Sequence, residues 1–136
     1  MKSKQVIVIR KDLNMRKGKM IAQGSHASMK VILDRMVESE LKYSSGDKDW
    51  ILYHVKKNSA IKDWLKGSFT KICVSVDSEE ELLNIYNQAK KEDVICSLIT
   101  DIGLTEFDGV PTITCCAIGP AWDFEVDKIT GHLKLL

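Results

Sequence analysis

The sequence predicts an α/β fold, a three-layer α/β/α sandwich around a mixed sheet of about four strands. Short runs of β-branched residues alternate with segments of helical periodicity along the 136-residue chain, which favours helices on both faces of one sheet. Strands joined through helices are expected to be parallel. The last two predicted strands are joined by a loop too short for a crossover helix, so the sheet is expected to be mixed. The length fits a single domain over residues 1–136.

The first half of the chain is predicted to begin with a buried strand and a long helix. Residues 5–9 form an apolar, β-branched run, and residues 17–37 carry apolar positions at helical spacing, with small residues among them. A polar stretch over residues 38–46 is expected to form a loop. Two short helices with polar caps are then expected, one around residues 50–53 and one over residues 59–65.

Strands and helices alternate more regularly in the second half. Residues 70–76, 94–99 and 112–118 are predicted strands, because they are rich in β-branched residues. Residues 77–81, four acidic residues and Ser78, predict the start of a helix, since carboxylates and a serine cap favour a helix N-terminus. A final short helix is expected over residues 121–130.

Charge is distributed unevenly along the chain. Residues 1–36 hold nine Lys or Arg and two Asp or Glu, a balance of +7, whereas the remainder carries −6. A localised positive surface suits a polyanionic ligand such as nucleic acid, although a solvated lysine-rich surface gives the same count. No apolar run approaches the ~20 residues of a transmembrane helix, and the start lacks a secretory signal pattern. We therefore expect a cytoplasmic protein without membrane insertion.

The cysteines are expected to be reduced and buried. Cys73, Cys96, Cys115 and Cys116 lie in apolar, strand-like segments, and none has the C-x-x-C spacing of a zinc or redox site. Since the last two are adjacent in a predicted strand, their side chains are expected on opposite faces. The sequence thus predicts neither a structural metal site nor a disulfide.

Three polar residues share one face of the first helix. Lys19, Gln23 and His26 have the spacing i, i+4 and i+7, which places an amine, an amide and an imidazole on the same side. They follow directly after the carboxyl end of the first strand, where ligands bind in open α/β sheets. A cation is unfavourable near a helix N-terminus, so Lys19 indicates an anionic or carboxylate partner.

A second polar cluster follows the third predicted strand. Asp101 lies at the end of that strand, Gly103 suits the positive φ of a turn, and Thr105 and Thr114 bracket the loop. If the sheet assembles as predicted, this loop lies beside the first helix, and Asp101 can approach Lys19. Such pairing would keep the amine charged and the carboxylate ionised.

At this point three ordered motifs resemble those of the type-2 peptidyl-tRNA hydrolases. They are Arg10-x-Asp12-Leu13-x-Met15-x-x-Gly18-Lys19-x-x-Ala22-Gln23-x-x-His26-Ala27, Asp101-x-Gly103-x-Thr105, and a C-terminal pair, Ala117-Ile118-Gly119-Pro120 and Asp127-Lys128-Ile129-Thr130-Gly131-His132-Leu133-Lys134-Leu135-Leu136. The resemblance implies a small α/β/α fold and hydrolysis of the ester between a peptide and the terminal ribose of tRNA, without a metal or other cofactor. It implies six site residues: Lys19, Gln23, His26, Asp101, Thr105 and Thr114.

Two departures from the family pattern concern the central loop. The family usually has Gln after the threonine that matches Thr105, whereas this chain has Glu106. The stretch from Thr105 to Thr114 is also one residue longer than the common pattern, so Thr112 is an alternative to Thr114. An added negative charge near an anionic substrate is expected to weaken binding.

Ester hydrolysis requires an activated water and stabilisation of an oxyanion. Asp101 is the candidate to orient or deprotonate water, and Lys19 is the candidate for the oxyanion or the terminal phosphate. Gln23 can orient water or a carbonyl, whereas His26 and the two threonines can contact phosphate. Because the chain has no G-x-S-x-G elbow, direct attack by water is favoured over a covalent intermediate.

Phosphate contacts need charge more than precise geometry, so the basic residues near the first helix are candidates to bind tRNA. These residues are Arg10, Lys11, Arg16 and Lys17. The expected partner is peptidyl-tRNA, and the sequence leaves a homodimer open. The alternative is a non-catalytic RNA-binding or adaptor protein on the same fold. A nucleotide-binding domain ranks last, because both G-x-G-x-x-G and a P-loop are missing.

Overall fold

A computed structural model describes residues 1–40, 50–55, 57 and 59–136 of the chain. A five-stranded sheet is flanked by helices, and a separate two-stranded sheet follows the first helix. The elements in chain order are β1 (Ser3–Arg10), α1 (Lys17–Leu33), β2 (Met36–Glu40), β3 (Ile51–Val55), α2 (Ser59–Lys66), β4 (Lys71–Val76), α3 (Glu79–Lys91), β5 (Cys96–Asp101), β6 (Thr112–Trp122), α4 (Asp123–Thr130) and β7 (Lys134–Leu135).

The main sheet has the strand order β5-β6-β1-β4-β7 and is mixed. β1 pairs in parallel with β4, as expected for strands joined through helices. β6 runs antiparallel to both β1 and β5, as the short connection after β5 predicts. The observed sheet fits the prediction of about four strands, with the two-residue strand β7 added beside β4 at the edge.

The helices pack on both faces of the sheet, which confirms the predicted α/β class. Residues of β1 alternate between the faces, because successive side chains of a strand point to opposite sides. Ile7 and Ile9 pack in the cluster that contains Ala27 of α1. Val6 and Val8 pack in the larger cluster formed with α3 and α4. The first cluster lies on the face where α1 places the candidate site residues.

The segment after α1 differs from the prediction. α1 ends at Leu33 rather than near residue 37, and Met36–Glu40 forms the strand β2. The short helix predicted around residues 50–53 is wrong, since Ile51–Val55 is the strand β3, antiparallel to β2. Aromatic and β-branched residues favour a strand once a partner strand is available. The caps expected at Asp47 or Asp49 lie outside the described residues.

The final strand and helix also shift relative to the prediction. β6 continues through Gly119 and Pro120 to Trp122, and α4 begins at Asp123 rather than residue 121. Gly119 has φ 87°, and a Cβ at this position would lie 2.6 Å from the carbonyl oxygen of Lys4 on β1. Glycine therefore lets the two strands approach closely here and allows β6 to extend beyond the predicted end.

All four cysteines were predicted to be buried, which is correct at Cys115 and Cys116 and wrong at Cys73. Cys115 and Cys116 are buried on opposite faces of β6, in the two separate core clusters. Cys96 is half-buried, and Cys73 on β4 is exposed. Over the described ranges, no helix is both long and apolar enough to cross a membrane.

Candidate active site

Lys19 and Asp101 form the centre of the site. Lys19 lies in the first turn of α1, Asp101 ends β5, and the Lys19 Nζ donates to Asp101 Oδ1 at 2.9 Å. The exposed fractions of these side chains are 13% and 12%, so solvent screens the pair weakly. The hydrogen bond from Lys19 is the chief reason that the pKa of Asp101 lies below its ordinary value, and burial acts in the opposite direction. Asp101 is therefore ionised at neutral pH.

Gln23 connects this ion pair to β6. Its Nε2 donates to Asp101 Oδ1 at 3.0 Å, and its Oε1 accepts a hydrogen bond from Thr114 Oγ1 at 2.6 Å. Gln23 and Thr114 are both buried, so their polar groups depend on these hydrogen bonds. Thr114 is thus the threonine that joins the network. The Thr112 hydroxyl instead donates to a backbone carbonyl of its own loop.

The β5–β6 loop, residues 102–111, lies against this ion pair. Lys19 Nζ donates to Thr105 Oγ1 at 3.0 Å, and the Gly103 N–H donates to Asp101 Oδ2 at 2.9 Å. Gly103 has φ 84°, and a Cβ there would lie 2.5 Å from a backbone oxygen across the loop. Glycine is required at this turn because a side chain would collide with the backbone.

The side chains of His26 and Phe107 lie outside the hydrogen-bonded network. His26 is exposed on α1, and within the described part of the chain its imidazole forms no hydrogen bond or ion pair. It therefore lies on the predicted helix face without joining the Lys19–Asp101 network. Phe107, which the sequence analysis did not single out, is half-buried, and its ring centroid lies 5.6 Å from Lys19 Nζ. A ring face at this distance adds a favourable interaction with the ammonium group.

Cys115 is the thiol closest to the network along β6. Its Sγ donates to the backbone carbonyl of Gln23 at 3.3 Å, and burial raises the pKa of Cys115 to about 11. The thiol stays protonated at neutral pH and is unsuited to nucleophilic attack. Among the described residues, no group of three His, Cys, Asp or Glu is placed to hold a metal ion.

The basic residues predicted to bind tRNA lie around the start of α1. Lys11 and Lys17 are exposed to solvent. Arg10 is more constrained, because its Nη2 pairs with Asp12 Oδ2 at 2.7 Å and its Nη1 donates to the carbonyl of Ile113 at 2.9 Å. Arg10 therefore contributes charge to this surface while its guanidinium orientation is fixed by neighbours.

Arg16 has a partner that the sequence pattern does not predict. Its Nε donates to Glu106 Oε1 at 2.9 Å, and its backbone N–H donates to Glu106 Oε2 at 3.4 Å. The sequence predicts that Glu106 places a negative charge near the anionic substrate. In the structure, the carboxylate instead pairs with a cation of the predicted tRNA-binding set.

Comparison with known proteins identifies the family. A sequence model of the PTH2 peptidyl-tRNA hydrolases matches residues 3–136. The chain belongs to this family. It is 44% identical over 134 residues to a peptidyl-tRNA hydrolase of Methanocaldococcus jannaschii, with 98% of this chain and 99% of the relative covered. A peptidyl-tRNA hydrolase of Thermococcus onnurineus is 39% identical over 135 residues, covering 98% and 97% of the two chains.

A solved structure is similar in fold at low sequence identity. A protein of unknown function from Agrobacterium tumefaciens aligns with a TM-score of 0.55 and 13% identity, over 100% of this chain and 98% of that one. This similarity bears on the fold alone. The family assignment confirms the predicted resemblance and the predicted enzyme class, and no comparison favours the non-catalytic alternative.

Proposed function

We propose that this protein hydrolyses the ester between tRNA and a peptide, or an N-blocked amino acid, by direct attack of water. The observation that carries the proposal is the hydrogen-bonded network of Lys19, Asp101, Gln23 and Thr114 at the carboxyl end of β5. Ester hydrolysis needs a positioned water and a cation for the tetrahedral oxyanion. This network holds an ionised carboxylate and an ammonium group 2.9 Å apart.

Asp101 is the residue proposed to orient water. Its Oδ1 accepts hydrogen bonds from Lys19 and Gln23, whereas Oδ2 accepts one from Gly103 and retains a lone pair for water. A carboxylate with a lowered pKa is a weak base in the resting site. When Lys19 Nζ turns towards the substrate, Asp101 loses its strongest donor, its pKa rises, and it becomes better able to accept a proton from the water.

Lys19 is proposed to stabilise the developing oxyanion or to bind the terminal phosphate of tRNA. In the resting site its Nζ is held by Asp101 and Thr105, and it turns from Asp101 towards the oxyanion or the phosphate when the substrate binds. Thr105 and the exposed His26 are proposed to contact phosphate or ribose at the edge of the network. All of these steps are assigned to protein side chains, and none requires a bound metal ion.

The substrate partner proposed for the surrounding surface is the tRNA portion of peptidyl-tRNA. Lys11, Arg16 and Lys17 are exposed, and Arg16 pairs with Glu106, which follows Thr105 in the β5–β6 loop. Cations placed this way attract phosphates without reading sequence, which suits an enzyme that acts on many tRNAs. Arg10 adds charge nearby, with its guanidinium held by Asp12.

The test is release of peptide from N-blocked aminoacyl-tRNA by the purified protein in the presence of a chelator. We expect release with chelator, and Asp101→Asn is expected to slow it by ~10²-fold or more, since one lost polar contact to a transition state costs about that. Asp108→Asn makes the same chemical change at an exposed loop position and serves as the matched control.

Either of two results would contradict this proposal. Release that requires added metal would contradict the metal-free route, and equal rates for Asp101→Asn and Asp108→Asn would remove Asp101 from the reaction. A folded wild-type protein that binds tRNA without releasing peptide would instead support the adaptor alternative.

We also propose that the protein works in the cytoplasm as a homodimer. Ile21, Met29 and Leu33 are 70%, 62% and 48% exposed, and their spacing forms an apolar stripe along α1. The stripe borders an open apolar cavity of about 630 Å³ between α1 and β4. Antiparallel packing of two α1 helices would also bring Lys17 near the partner's Asp34, pairing opposite charges.

Sedimentation velocity tests the homodimer directly. The wild type is expected to sediment as a dimer, and Ile21→Lys is expected to shift it to a monomer because a charge would enter the apolar contact. Lys62→Ala, at an exposed position of α2, is the control that leaves the dimer intact. A wild type that stays monomeric at tens of micromolar would contradict the dimer.

A further inference from the structure

The N-terminus of α1 lacks acidic stabilisation from its own sequence. The first turn holds no Asp or Glu, and Arg16, at the N-cap position, makes no side-chain capping hydrogen bond. Lys17 and Lys19 instead place positive charge where the helix dipole is also positive. A carboxylate from elsewhere in the fold is therefore expected to stabilise this end of the helix.

Glu106 supplies that carboxylate from the β5–β6 loop. It accepts hydrogen bonds from both the side chain and the backbone N–H of Arg16, at 2.9 Å and 3.4 Å. The Glu106 side chain is 14% exposed, whereas the Arg16 side chain is 82% exposed. The carboxylate is thus largely enclosed by the protein, while most of the guanidinium faces solvent.

Thr105, the residue before Glu106, also connects the loop to α1. Thr105 accepts the hydrogen bond from Lys19 Nζ at 3.0 Å. Thr105 therefore binds the first turn of α1, and Glu106 binds Arg16, the residue before the helix. A shift of the loop at Glu106 would move Thr105 relative to Lys19, and displacements of about 1 Å can cost ~10²-fold in rate.

The contact also fixes one end of Arg16. Glu106 occupies Nε, and within the described part of the chain the two terminal NH₂ groups form no hydrogen bond. An arginine held at Nε has lost part of its side-chain freedom, yet it still presents two NH₂ groups, with four N–H donors, to a phosphate. The ion pair therefore orients Arg16, and the two NH₂ groups stay available to donate to a phosphate.

We propose that Glu106 is a positioning residue for ester hydrolysis, which holds Thr105 against Lys19 and orients Arg16 towards a substrate phosphate. This inference rests on the proposed function. It differs from a purely repulsive role, in which the carboxylate only weakens binding of the anionic substrate. The two roles predict opposite results for removal of the side chain.

The test compares Glu106→Ala with Glu106→Gln in the peptide-release assay. Glu106→Ala is expected to lower kcat by roughly 10-fold, because Thr105 and Lys19 lose their alignment. Glu106→Gln retains an acceptor for Arg16 Nε, so its kcat is expected to stay within about 2-fold of wild type. Glu92→Ala removes another carboxylate from an ion pair, with Lys128 at 3.3 Å, and controls for charge.

A double-mutant cycle with Thr105→Val tests the route of the effect. If Glu106 acts through Thr105, Glu106→Ala is expected to lower kcat much less in the Thr105→Val background than in wild type. Arg16→Gln breaks the ion pair from its other end and is the second variant if Glu106→Ala fails to fold. It is expected to raise KM, since it also removes a charge that faces phosphate.

The outcomes separate this inference from the proposed function. An active wild type with unchanged kcat and lower KM in Glu106→Ala would overturn the positioning role and leave the enzyme assignment intact. Equal losses of kcat in Glu106→Ala and Glu106→Gln, or additive effects in the cycle, would also overturn it. A folded wild type without peptide release would overturn the proposed function and this inference together.

Discussion

Two ion pairs connect the start of α1 to the end of β5 and the loop that follows it. Lys19–Asp101 and Arg16–Glu106 have the same separation, 2.9 Å. Both partners of the first pair are largely buried, whereas Arg16 in the second is 82% exposed. Distance alone therefore does not distinguish their roles.

Burial changes what each pair can do. In the enclosed pair, Asp101 accepts a further hydrogen bond from Gln23 and Lys19 donates one to Thr105. The donors around Asp101, Lys19 first among them, lower its pKa. The exposed pair leaves a cation available to a ligand and is weakened by salt. We expect the buried pair to govern the chemical step and the exposed pair to govern positioning and binding.

The largest expected effect comes from removing the buried cation. Lys19→Ala should lower kcat for peptide release by at least ~10²-fold, since an electrostatic contact to the transition state is lost. Lys30→Ala is the matched control on the same helix, because Lys30 pairs with Asp34 at 3.2 Å on the exposed side. Single-turnover release is the measurement. Near-normal release by folded Lys19→Ala would exclude Lys19 from the reaction.

A smaller effect on rate, with a distinct effect on stability, is expected at Gln23. Gln23→Met removes the oxygen that accepts from the Thr114 hydroxyl and leaves it only the contact with Cys115 Sγ at 3.7 Å. A buried hydroxyl that loses its acceptor costs ~1–3 kcal/mol. We expect the free energy of unfolding in urea to fall by that amount and kcat to fall by roughly 10-fold. Adding Thr114→Val should recover stability without recovering rate. Recovery of both would mean that Gln23 serves packing alone.

These two residues also indicate how far the sequence predicts the site. The i, i+4 spacing predicts that Lys19 and Gln23 share one helix face, because this spacing follows the helical repeat. The predicted sheet brings the end of the strand that carries Asp101 beside that face. The same spacing rule included His26, which lies on that face without contacting the network. Helix geometry specifies a direction, whereas a contact also needs a partner at the right distance.

The features that the sequence did not predict depend on contacts between distant segments. Glu106 and Arg16 are ninety positions apart, so no local pattern pairs them. β3 was predicted as a helix because its capping signals are local, whereas its actual pairing with β2 is tertiary. β7 has only two residues, too few for a periodic signal. The missed elements therefore share a non-local origin.

The lowered pKa of Asp101 predicts how the buried pair affects stability with pH. The folded state binds this proton more weakly than the unfolded state, so the contribution is complete at neutral pH and is lost as pH falls below the ordinary value of 3.8. The difference in unfolding free energy between wild type and Asp101→Asn should therefore be constant near neutral pH and shrink below about pH 4. A difference that does not change with pH would contradict the pairing with Lys19.

The smallest expected effect concerns the exposed basic residues near the start of α1. Lys11 is exposed near the start of α1, and Lys11→Ala should leave kcat unchanged while it reduces the salt dependence of tRNA binding. Losing one phosphate contact lowers the slope of log K against log salt by roughly 0.7–0.9. Lys91→Ala, at the end of α3, is the control for a cation remote from the site. An unchanged slope in Lys11→Ala would place the tRNA backbone elsewhere. Because charge at an exposed site is not tied to one geometry, this loss should be the same for every tRNA tested.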